Sequence, residues 1–168
     1  MRVFLLGYMG CGKSSKGSKL AKKLNLNFFD LDILFEEKYK LTIQQFFSKY
    51  GENLFRKLEH KLLKEILHND NFVLSLGGGS PCFYDNMNLM NESGITVYIK
   101  MPVKALQHRL THAKKPRPLI ENRSPEKLES FITNQLSERE IYYSKAHLTI
   151  SGINLDIDQL AKRIITLA

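Results

Sequence analysis

The chain has 168 residues, of which 43% are hydrophobic and 25% are charged, as in an ordinary globular domain rather than a disordered or fibrous chain. No apolar run approaches the ~20 residues that a membrane-spanning helix needs, which excludes a helical membrane protein. A strand-like apolar run begins within two residues of Met1, so we expect no signal peptide. The composition therefore predicts one cytoplasmic domain over residues 1–168.

The net charge of +8 permits two interpretations. It is compatible with nucleic-acid binding, and equally with a pocket for ATP and an anionic substrate accompanied by solvated lysines. The sequence contains no run of five or more basic residues, and no arginines interleaved with aromatic residues as on a strand-binding face. Many lysines, such as Lys16 and Lys19, fall on the surface of a predicted helix. We therefore expect a small-molecule substrate and neither a nucleic-acid nor a membrane partner.

The two cysteines, Cys11 and Cys82, are too few for a disulfide framework and lack the spacing of a zinc site. Free thiols in a reducing compartment are the expected state. This expectation agrees with a cytoplasmic protein.

Apolar runs alternate with helical periodicity along the chain, which is typical of a parallel α/β sheet. The predicted strands are Val3–Leu6, Asn27–Phe29, Phe72–Leu76, Thr96–Ile99 and Leu148–Ile150. The predicted helices are Lys13–Leu24, Thr42–Tyr50, Glu52–Leu67, Pro102–Leu110, one that opens at Ser124-Pro125, and Leu155–Leu167. Pro102 and Pro125 are both predicted in the first turns of their helices.

The stretch from His112 to Arg123 differs from the rest, because it is rich in Lys, Arg and Pro and has few apolar residues. Two interpretations remain open on chemistry alone. It is either an ordinary exposed connection or a mobile basic lid that covers bound phosphates.

The glycine-rich stretch from Gly7 to Ser15 reads GYMGCGKSS and fits the P-loop pattern G-x-x-x-x-G-K-[ST] at every fixed position. It follows a predicted strand and opens a predicted helix, which is the setting that confirms the motif. Glycines let backbone N–H groups line a concavity for phosphate oxygens, and the helix N-terminus adds positive potential. Lys13 supplies a full charge for the β and γ oxygens, and the Ser14 hydroxyl is a ligand for Mg²⁺. The motif predicts nucleoside triphosphate binding.

Two carboxylates, Asp30 and Asp32, directly follow the second predicted strand. In an extended chain they would face the same way from the carboxyl edge of the sheet, where open α/β sheets bind ligands. One carboxylate could then serve Mg²⁺, and the other could accept a hydrogen bond from a substrate hydroxyl. The alternative is that Asp32 merely caps the helix that follows.

The triple glycine Gly77–Gly79 comes after an apolar run suited to a central strand. Many P-loop proteins end this strand with an acidic residue for the metal, and its absence here favours Asp30 for that role. Three glycines allow a ligand to approach the backbone closely and offer it bare N–H groups. The alternative is a tight turn without a ligand.

Two arginines are candidates for gripping an acid. Arg56 and Glu59 are three residues apart on a predicted helix, so a surface ion pair is the default expectation. Arg139 falls on the apolar face of its helix, in line with Ile132 and Tyr143. A buried guanidinium needs an anionic partner, either a structural glutamate or a bound ligand. Because arginine binds carboxylates as a bidentate fork, a pair of arginines could clamp a small acid.

Taken together and in order, these motifs resemble the shikimate kinase family over nearly the whole chain. The resemblance rests on GYMGCGKSS, the FDLD run at 29–32, GENLFRKLE at 51–59, LGGGS at 76–80, RPLI at 117–120, and Glu138-Arg139 with Tyr142. The P-loop alone is generic, whereas the whole set is specific. Cys11 stands where small residues are usual, and Ser15 replaces a common threonine.

The resemblance implies a three-layer P-loop kinase fold of the nucleoside-monophosphate-kinase type, with a five-stranded parallel sheet flanked by helices. It implies a mobile lid at about 112–123 and a substrate-binding helical part at about 32–60. The implied activity is transfer of the ATP γ-phosphoryl group to the 3-hydroxyl of shikimate, with Mg²⁺ as cofactor. We expect a monomer, since the chain is small and has no obvious apolar surface stripe.

By motif match the resemblance also implies the roles of individual residues. The residues implied for ATP are Gly10, Cys11, Gly12, Lys13, Ser14, Ser15, Arg109 and Arg117. Those implied for shikimate are Asp32, Arg56, Gly78, Gly79 and Arg139. Mg²⁺ is assigned to Ser14 and Asp30, and catalysis to Lys13, Asp32 and Arg117. Arg109 matches a position near the adenine.

Two rival functions share some of these features. A kinase of the same fold acting on a sugar acid or a nucleotide would use the same P-loop, paired carboxylates and lid. A non-catalytic nucleotide switch or a basic nucleic-acid binder would show salt-sensitive oligonucleotide binding and no acceptor-dependent ATP use.

Overall fold

The computed structural model describes residues 1–113 and 123–168. The described residues form a sheet of five parallel strands in the order β2-β3-β1-β4-β5. The strands are β1 (Arg2–Leu6), β2 (Asn27–Asp30), β3 (Phe72–Ser75), β4 (Ile95–Lys100) and β5 (Leu148–Ser151). Each predicted strand is confirmed, with bounds that differ by at most one residue at either end. Central β1 is paired on both sides, with Val3 opposite Val73 of β3 and Ile95 of β4.

Helices cover both faces of this sheet. They are α1 (Lys13–Leu24), α2 (Leu31–Tyr39), α3 (Ile43–Ile66), α4 (Asn86–Ser93), α5 (Val103–Thr111), α6 (Pro125–Tyr143) and α7 (Ile157–Leu167), with a 3₁₀ turn at Ser80–Cys82. The predicted helix over Lys13–Leu24 is confirmed at both ends. Within the described ranges, no helix is long and apolar enough to cross a membrane.

The core consists of two clusters, one on each face of the sheet, because successive side chains of a strand point to opposite sides. Val3 and Leu5 of β1 pack with α1, α5, α6 and α7. Phe4 and Leu6 pack with α2, α3 and α4, and α6 also contributes to this second cluster through Tyr143. The result is three layers, with helices on both sides of a sheet whose central strand β1 is apolar from Val3 to Leu6.

Helix α3 combines two predicted helices, Thr42–Tyr50 and Glu52–Leu67. Its two segments meet at a break at Gly51, whose φ of 79° and ψ of 169° are not helical. Thr42 and Gln45 cap its start reciprocally as a capping box. At α5 the first-turn prediction is wrong, since Pro102 is the N-cap residue. Ser124 caps α6 and Pro125 lies in its first turn, as predicted.

Two helices, α2 and α4, are missing from the predicted helices, although the capping alternative for Asp32 assumed a helix after it. Helix α2 follows Asp30 of β2 without any connecting loop, so no turn signal separates them. Helix α4 reads NMNLMNES, and its asparagines and serine have low intrinsic helix propensity. Burial of Met87 and Met90 against the core stabilises it, which is a tertiary effect that local sequence does not reveal.

Candidate active site

The candidate site lies at the carboxyl edge of the sheet, where the chain leaves each strand. The glycine-rich loop connects β1 to α1, and Gly10 and Gly12 have φ of 84° and 92°, which side-chain-bearing residues rarely adopt. Gly12 is the N-cap of α1, and no side chain caps the helix there. The first-turn N–H groups of α1 therefore face the loop and can bind phosphate oxygens, as the motif predicts.

Lys13 folds back over this loop and is only 8% exposed. Its ammonium donates to the carbonyls of Gly7 at 2.7 Å and Tyr8 at 3.1 Å. The third contact is a weak one, to Cys11 Sγ at 3.6 Å. An ammonium has three N–H donors, so a phosphate oxygen can replace the sulfur as acceptor without breaking the two carbonyl bonds.

Ser14 and Asp30 are in direct contact, since the Ser14 hydroxyl donates to Asp30 Oδ2 at 2.6 Å. Ser75, the last residue of β3, places its Oγ 3.4 Å from that of Ser14. Hydroxyl and carboxylate oxygens are the ligands that Mg²⁺ prefers, so these residues fit the predicted metal. The described residues contain no group of three or more His, Cys, Asp or Glu side chains that could hold a metal. A site with so few protein ligands suits a Mg²⁺ ion that keeps waters and phosphate oxygens as its other ligands.

The two carboxylates are placed differently from the prediction of an extended chain. Asp30 ends β2 and is the N-cap of α2, where its Oδ1 accepts the Asp32 N–H at 3.1 Å. The extended Asp-Leu-Asp arrangement is wrong, and so is the alternative that Asp32 caps the helix. Asp32 instead lies in the first turn of α2.

Asp32 points at the triple glycine. Although the residue as a whole is partly exposed, its carboxyl lies among protein atoms, with Oδ1 2.8 Å from where a Cβ on Gly77 would stand. Burial, followed by the negative charges of Asp30 and Glu59, raises the pKa of Asp32 from 3.8 to about 6. A carboxylate with this pKa is ionised at neutral pH and is a stronger proton acceptor than an ordinary aspartate.

The triple glycine lies between the two arginines and beside the glycine-rich loop. A Cβ on Gly78 would lie 3.0 Å from Nη1 of Arg139 and 3.4 Å from the Gly7 carbonyl. A Cβ on Gly79 would collide with the guanidinium of Arg56. Both arginines also act electrostatically on the Cys82 thiol, whose pKa burial raises to about 11. The two guanidinium groups thus converge on one short segment beside the phosphate loop.

Arg139 reaches this segment from α6, on the inward face that the sequence predicts. Its guanidinium lies 5.3 Å from the ring centroid of Tyr8, in the range of a cation–π contact. Tyr8 in turn donates its hydroxyl to Gln135 Oε1 at 2.7 Å. Tyr143, one turn after Arg139, donates to the Gly78 carbonyl, so α6 holds both the glycine segment and the arginine beside it.

The Arg56–Glu59 pair is not the surface ion pair that helical spacing suggested. Arg56 Nη1 donates to Glu59 Oε2 at 2.9 Å, and Glu59 is 1% exposed. The other face of the guanidinium lies 4.4 Å from the ring centroid of Phe83. Glu59 Oε1 accepts the Ser80 hydroxyl. A buried carboxylate with both oxygens engaged fixes the guanidinium, and the sequence alone did not reveal Ser80's part in this.

Arg109 lies on the opposite side of the glycine-rich loop, where its Nη1 is 3.3 Å from the carbonyls of both Gly10 and Cys11. The neighbouring Lys16 donates to the Gly152 carbonyl at 2.5 Å, which joins α1 to the connection after β5. Burial and the charge of Arg109 lower the pKa of Lys16. Ser15 is exposed beside them and donates to the Gly12 carbonyl at 3.2 Å. Arg117 and most of the proposed lid lie outside the described residues.

Comparison with known proteins gives one consistent family. A family model described as shikimate kinase matches residues 9–168. A shikimate kinase of Azobacteroides pseudotrichonymphae is 47% identical over 88% of this chain and 87% of its own length. A crystal structure of a Bacteroides thetaiotaomicron shikimate kinase superposes with a TM-score of 0.92 at 38% identity, covering 99% of this chain and 97% of that one. The predicted P-loop kinase fold is confirmed.

A third match is a shikimate kinase from Acinetobacter baumannii whose structure was determined in complex with shikimate. It superposes with a TM-score of 0.85 at 34% identity, over 99% of this chain and 91% of that chain.

The raised pKa of Asp32 predicts a pH-dependent stability. Between pH 3.8 and about 6 the folded chain binds more protons than the unfolded chain, so stability falls as pH rises through this window and stays lower above it. Replacing Asp32 with Asn removes the penalty. The difference in free energy of unfolding between Asp32→Asn and the wild type should therefore depend on pH. It should favour the variant by up to about 3 kcal/mol more at about pH 8 than at about pH 3.5.

Urea unfolding at the two pH values measures this difference, with Glu37→Gln, an exposed carboxylate on the same helix, as the matched control. The control should change the stability equally at both pH values. An equal effect of Asp32→Asn at both values would contradict the assigned penalty.

Proposed function

The chain belongs to the shikimate kinase family, and from that premise we propose that it transfers the γ-phosphoryl group of ATP to the 3-hydroxyl of shikimate. The product is shikimate 3-phosphate, an intermediate of aromatic amino-acid biosynthesis. One observation supports this function above all others. The triple glycine brings Asp32, Arg56 and Arg139 together beside the phosphate loop, so an acid-binding site and a nucleotide site share one cleft.

The acceptor side suits a small hydroxy acid. Arg56 and Arg139 supply guanidinium groups that would grip the carboxylate as planar N–H forks. In the structure Nε and Nη2 of Arg56 contact the exposed carboxylate of Glu52, which the shikimate carboxylate would replace. Gly78 and Gly79 provide bare backbone at the floor between them. Asp32 would accept the hydrogen bond of the attacking hydroxyl and, at its raised pKa, could take its proton.

The donor side stabilises charge rather than forming bonds, as phosphoryl transfer requires. The Lys13 ammonium and the first-turn N–H groups of α1 would stabilise negative charge on the transferred group. Arg109 and Lys16 lie beside Gly12 of the loop, and we propose that the base and ribose of ATP bind next to them. We propose that Arg117 reaches the phosphates from the lid at about 112–123 when the lid closes and excludes water.

Shikimate kinases use ATP with Mg²⁺ as a property of the family. When bound, the metal neutralises charge on the phosphate oxygens. We propose that Ser14 and Asp30 hold it here, since their oxygens are in contact at the foot of the phosphate loop. Ser75, 3.4 Å from Ser14, is a neighbour that could orient a metal-bound water.

We further propose that the enzyme acts as a cytoplasmic monomer without a nucleic-acid partner. Both cysteines are free, as expected in a reducing compartment. The small size of the chain supports the monomer, and the convergence of Arg56 and Arg139 on one segment accounts for part of the net charge without a nucleic-acid partner.

The identity of the phosphoryl acceptor distinguishes this function from the rival functions. Purified protein with ATP and Mg²⁺ should release ADP rapidly with shikimate, and slowly with gluconate or nucleoside monophosphates. Lys13→Ala, which removes the ammonium over the phosphate loop, is the control for contaminating kinases and should abolish the shikimate-dependent rate. Faster release with gluconate than with shikimate would assign the chain to a different acceptor.

Arg139→Ala tests the grip on the acid. We expect it to lose about 2–5 kcal/mol of shikimate binding, because a desolvated charge pair loses one partner. Steady-state kinetics should show the loss in kcat/KM for shikimate, with KM for ATP little changed. Arg163→Ala on exposed α7 is the matched control and should behave as wild type. Turnover of Arg139→Ala equal to wild type at low shikimate would refute the clamp.

A further inference from the structure

Behind the acceptor site lies a second layer of polar groups, none of which touches the cleft directly in the mechanism above. Asn86 of α4 and Ser80 of the 3₁₀ turn are both 0% exposed. The Asn86 Nδ2 donates to the Ser80 carbonyl at 2.8 Å, and its Oδ1 lies 2.6 Å from His60 Nδ1. A fully buried amide bonded on both sides connects elements that are distant in sequence.

These bonds form a closed circuit that begins and ends on α3. Glu59 accepts the Ser80 hydroxyl, the Ser80 carbonyl accepts from Asn86, and Asn86 contacts His60, the residue next to Glu59. Arg56, one turn earlier on the same helix, is bonded to Glu59 Oε2. The circuit therefore joins the 3₁₀ turn that ends the triple glycine to the helix segment that carries the acid-gripping arginine.

The chemistry fixes the orientation of each group in the circuit. A backbone carbonyl can only accept, so the amide nitrogen of Asn86 must face Ser80 and its oxygen must face His60. His60 Nδ1 therefore carries the proton and donates it, and Nε2 faces Asp85 Oδ1 at 3.8 Å. The imidazole ring of His60 is also stacked on the ring of Tyr84, at a centroid distance of 4.8 Å.

We propose that Asn86 is a positioning residue for shikimate binding, acting through Ser80 and the buried Glu59 on Nη1 of Arg56, whose Nε and Nη2 contact the exposed Glu52. The proposal rests on the proposed function of this site. Without the amide, the Ser80 carbonyl and the His60 N–H would be buried without partners, and the turn would shift to find others. A shift at Ser80 moves both the Gly79 backbone under Arg56 and the hydroxyl that engages Glu59.

The test is Asn86→Leu, a substitution of similar volume that removes both hydrogen bonds, compared with Asn91→Leu. Asn91 is on the same helix and also makes two side-chain bonds, to Thr96 and to the Lys145 carbonyl, on the side away from the cleft. We expect Asn86→Leu to raise KM for shikimate about tenfold and to leave KM for ATP within about twofold. Asn91→Leu should lower thermal stability less, because Asn91 is partly exposed, and should leave both KM values unchanged.

A double variant locates the effect. If Asn86 acts through Arg56, then combining Asn86→Leu with Arg56→Lys should raise KM for shikimate by less than the product of the two single effects. Three results would overturn the proposal. They are single effects that multiply in the double variant, equal rises in the KM values for shikimate and ATP, and an unchanged KM for shikimate in folded Asn86→Leu. A wild-type protein with no shikimate-dependent turnover would instead overturn the proposed function, and the same assay distinguishes the two failures.

Should Asn86→Leu not fold, His60 provides the test from the less buried end of the circuit. His60→Asn keeps a side-chain N–H at the position of Nδ1 for Asn86 and should keep KM for shikimate near that of wild type. His60→Leu removes the donor and should raise it. Equal KM values for the two variants would overturn the proposal.

Discussion

The site depends on the closeness with which other groups approach the bare backbone of Gly77–Gly79. Asp32 lies against the first glycine, Arg139 and the phosphate loop against the second, and Arg56 against the third. Any Cβ in this segment would occupy the space that a charged group or the loop now takes. The absence of side chains there places the acid-binding and nucleotide-binding groups side by side, and the five parallel strands deliver all of them to one edge of the sheet.

Specific partners for most of its charges stabilise this cluster. Lys13 is bonded to two backbone carbonyls, and the Glu59 carboxylate is bonded to Arg56 and Ser80. Asp32 has no comparable compensation, and burial raises its pKa to about 6. The stability lost at this position above pH 6 is the cost of a carboxylate that can accept a proton from a hydroxyl, a trade common at catalytic sites.

Much of this architecture could be predicted from the sequence, because apolar strands, the phosphate loop and helix caps have strong local patterns. The five strands and α1 are of this kind. What the sequence could not show depends on tertiary contacts. Helix α4 is stabilised by the burial of two methionines, and the Arg56–Glu59 pair is buried because the 3₁₀ turn covers that helix face. Ser75 and Asn86 belong to no recognisable motif, and only packing brings them to the site. The roles of the site residues, including Arg117 outside the described ranges, stay predictions.

The most direct test of this account displaces a guanidinium without removing it. Gly79 has φ of −87° and ψ of −20°, which alanine adopts readily, so Gly79→Ala places a methyl group against Arg56 with no backbone strain. Isothermal titration should show shikimate affinity weakened by about tenfold or more, ~1.4 kcal/mol, with nucleotide affinity near that of wild type. Thermal stability should fall, because the displaced guanidinium weakens its ion pair with the buried Glu59. Unchanged shikimate affinity in folded Gly79→Ala would contradict the claim that the glycine segment sets the geometry of the acceptor site.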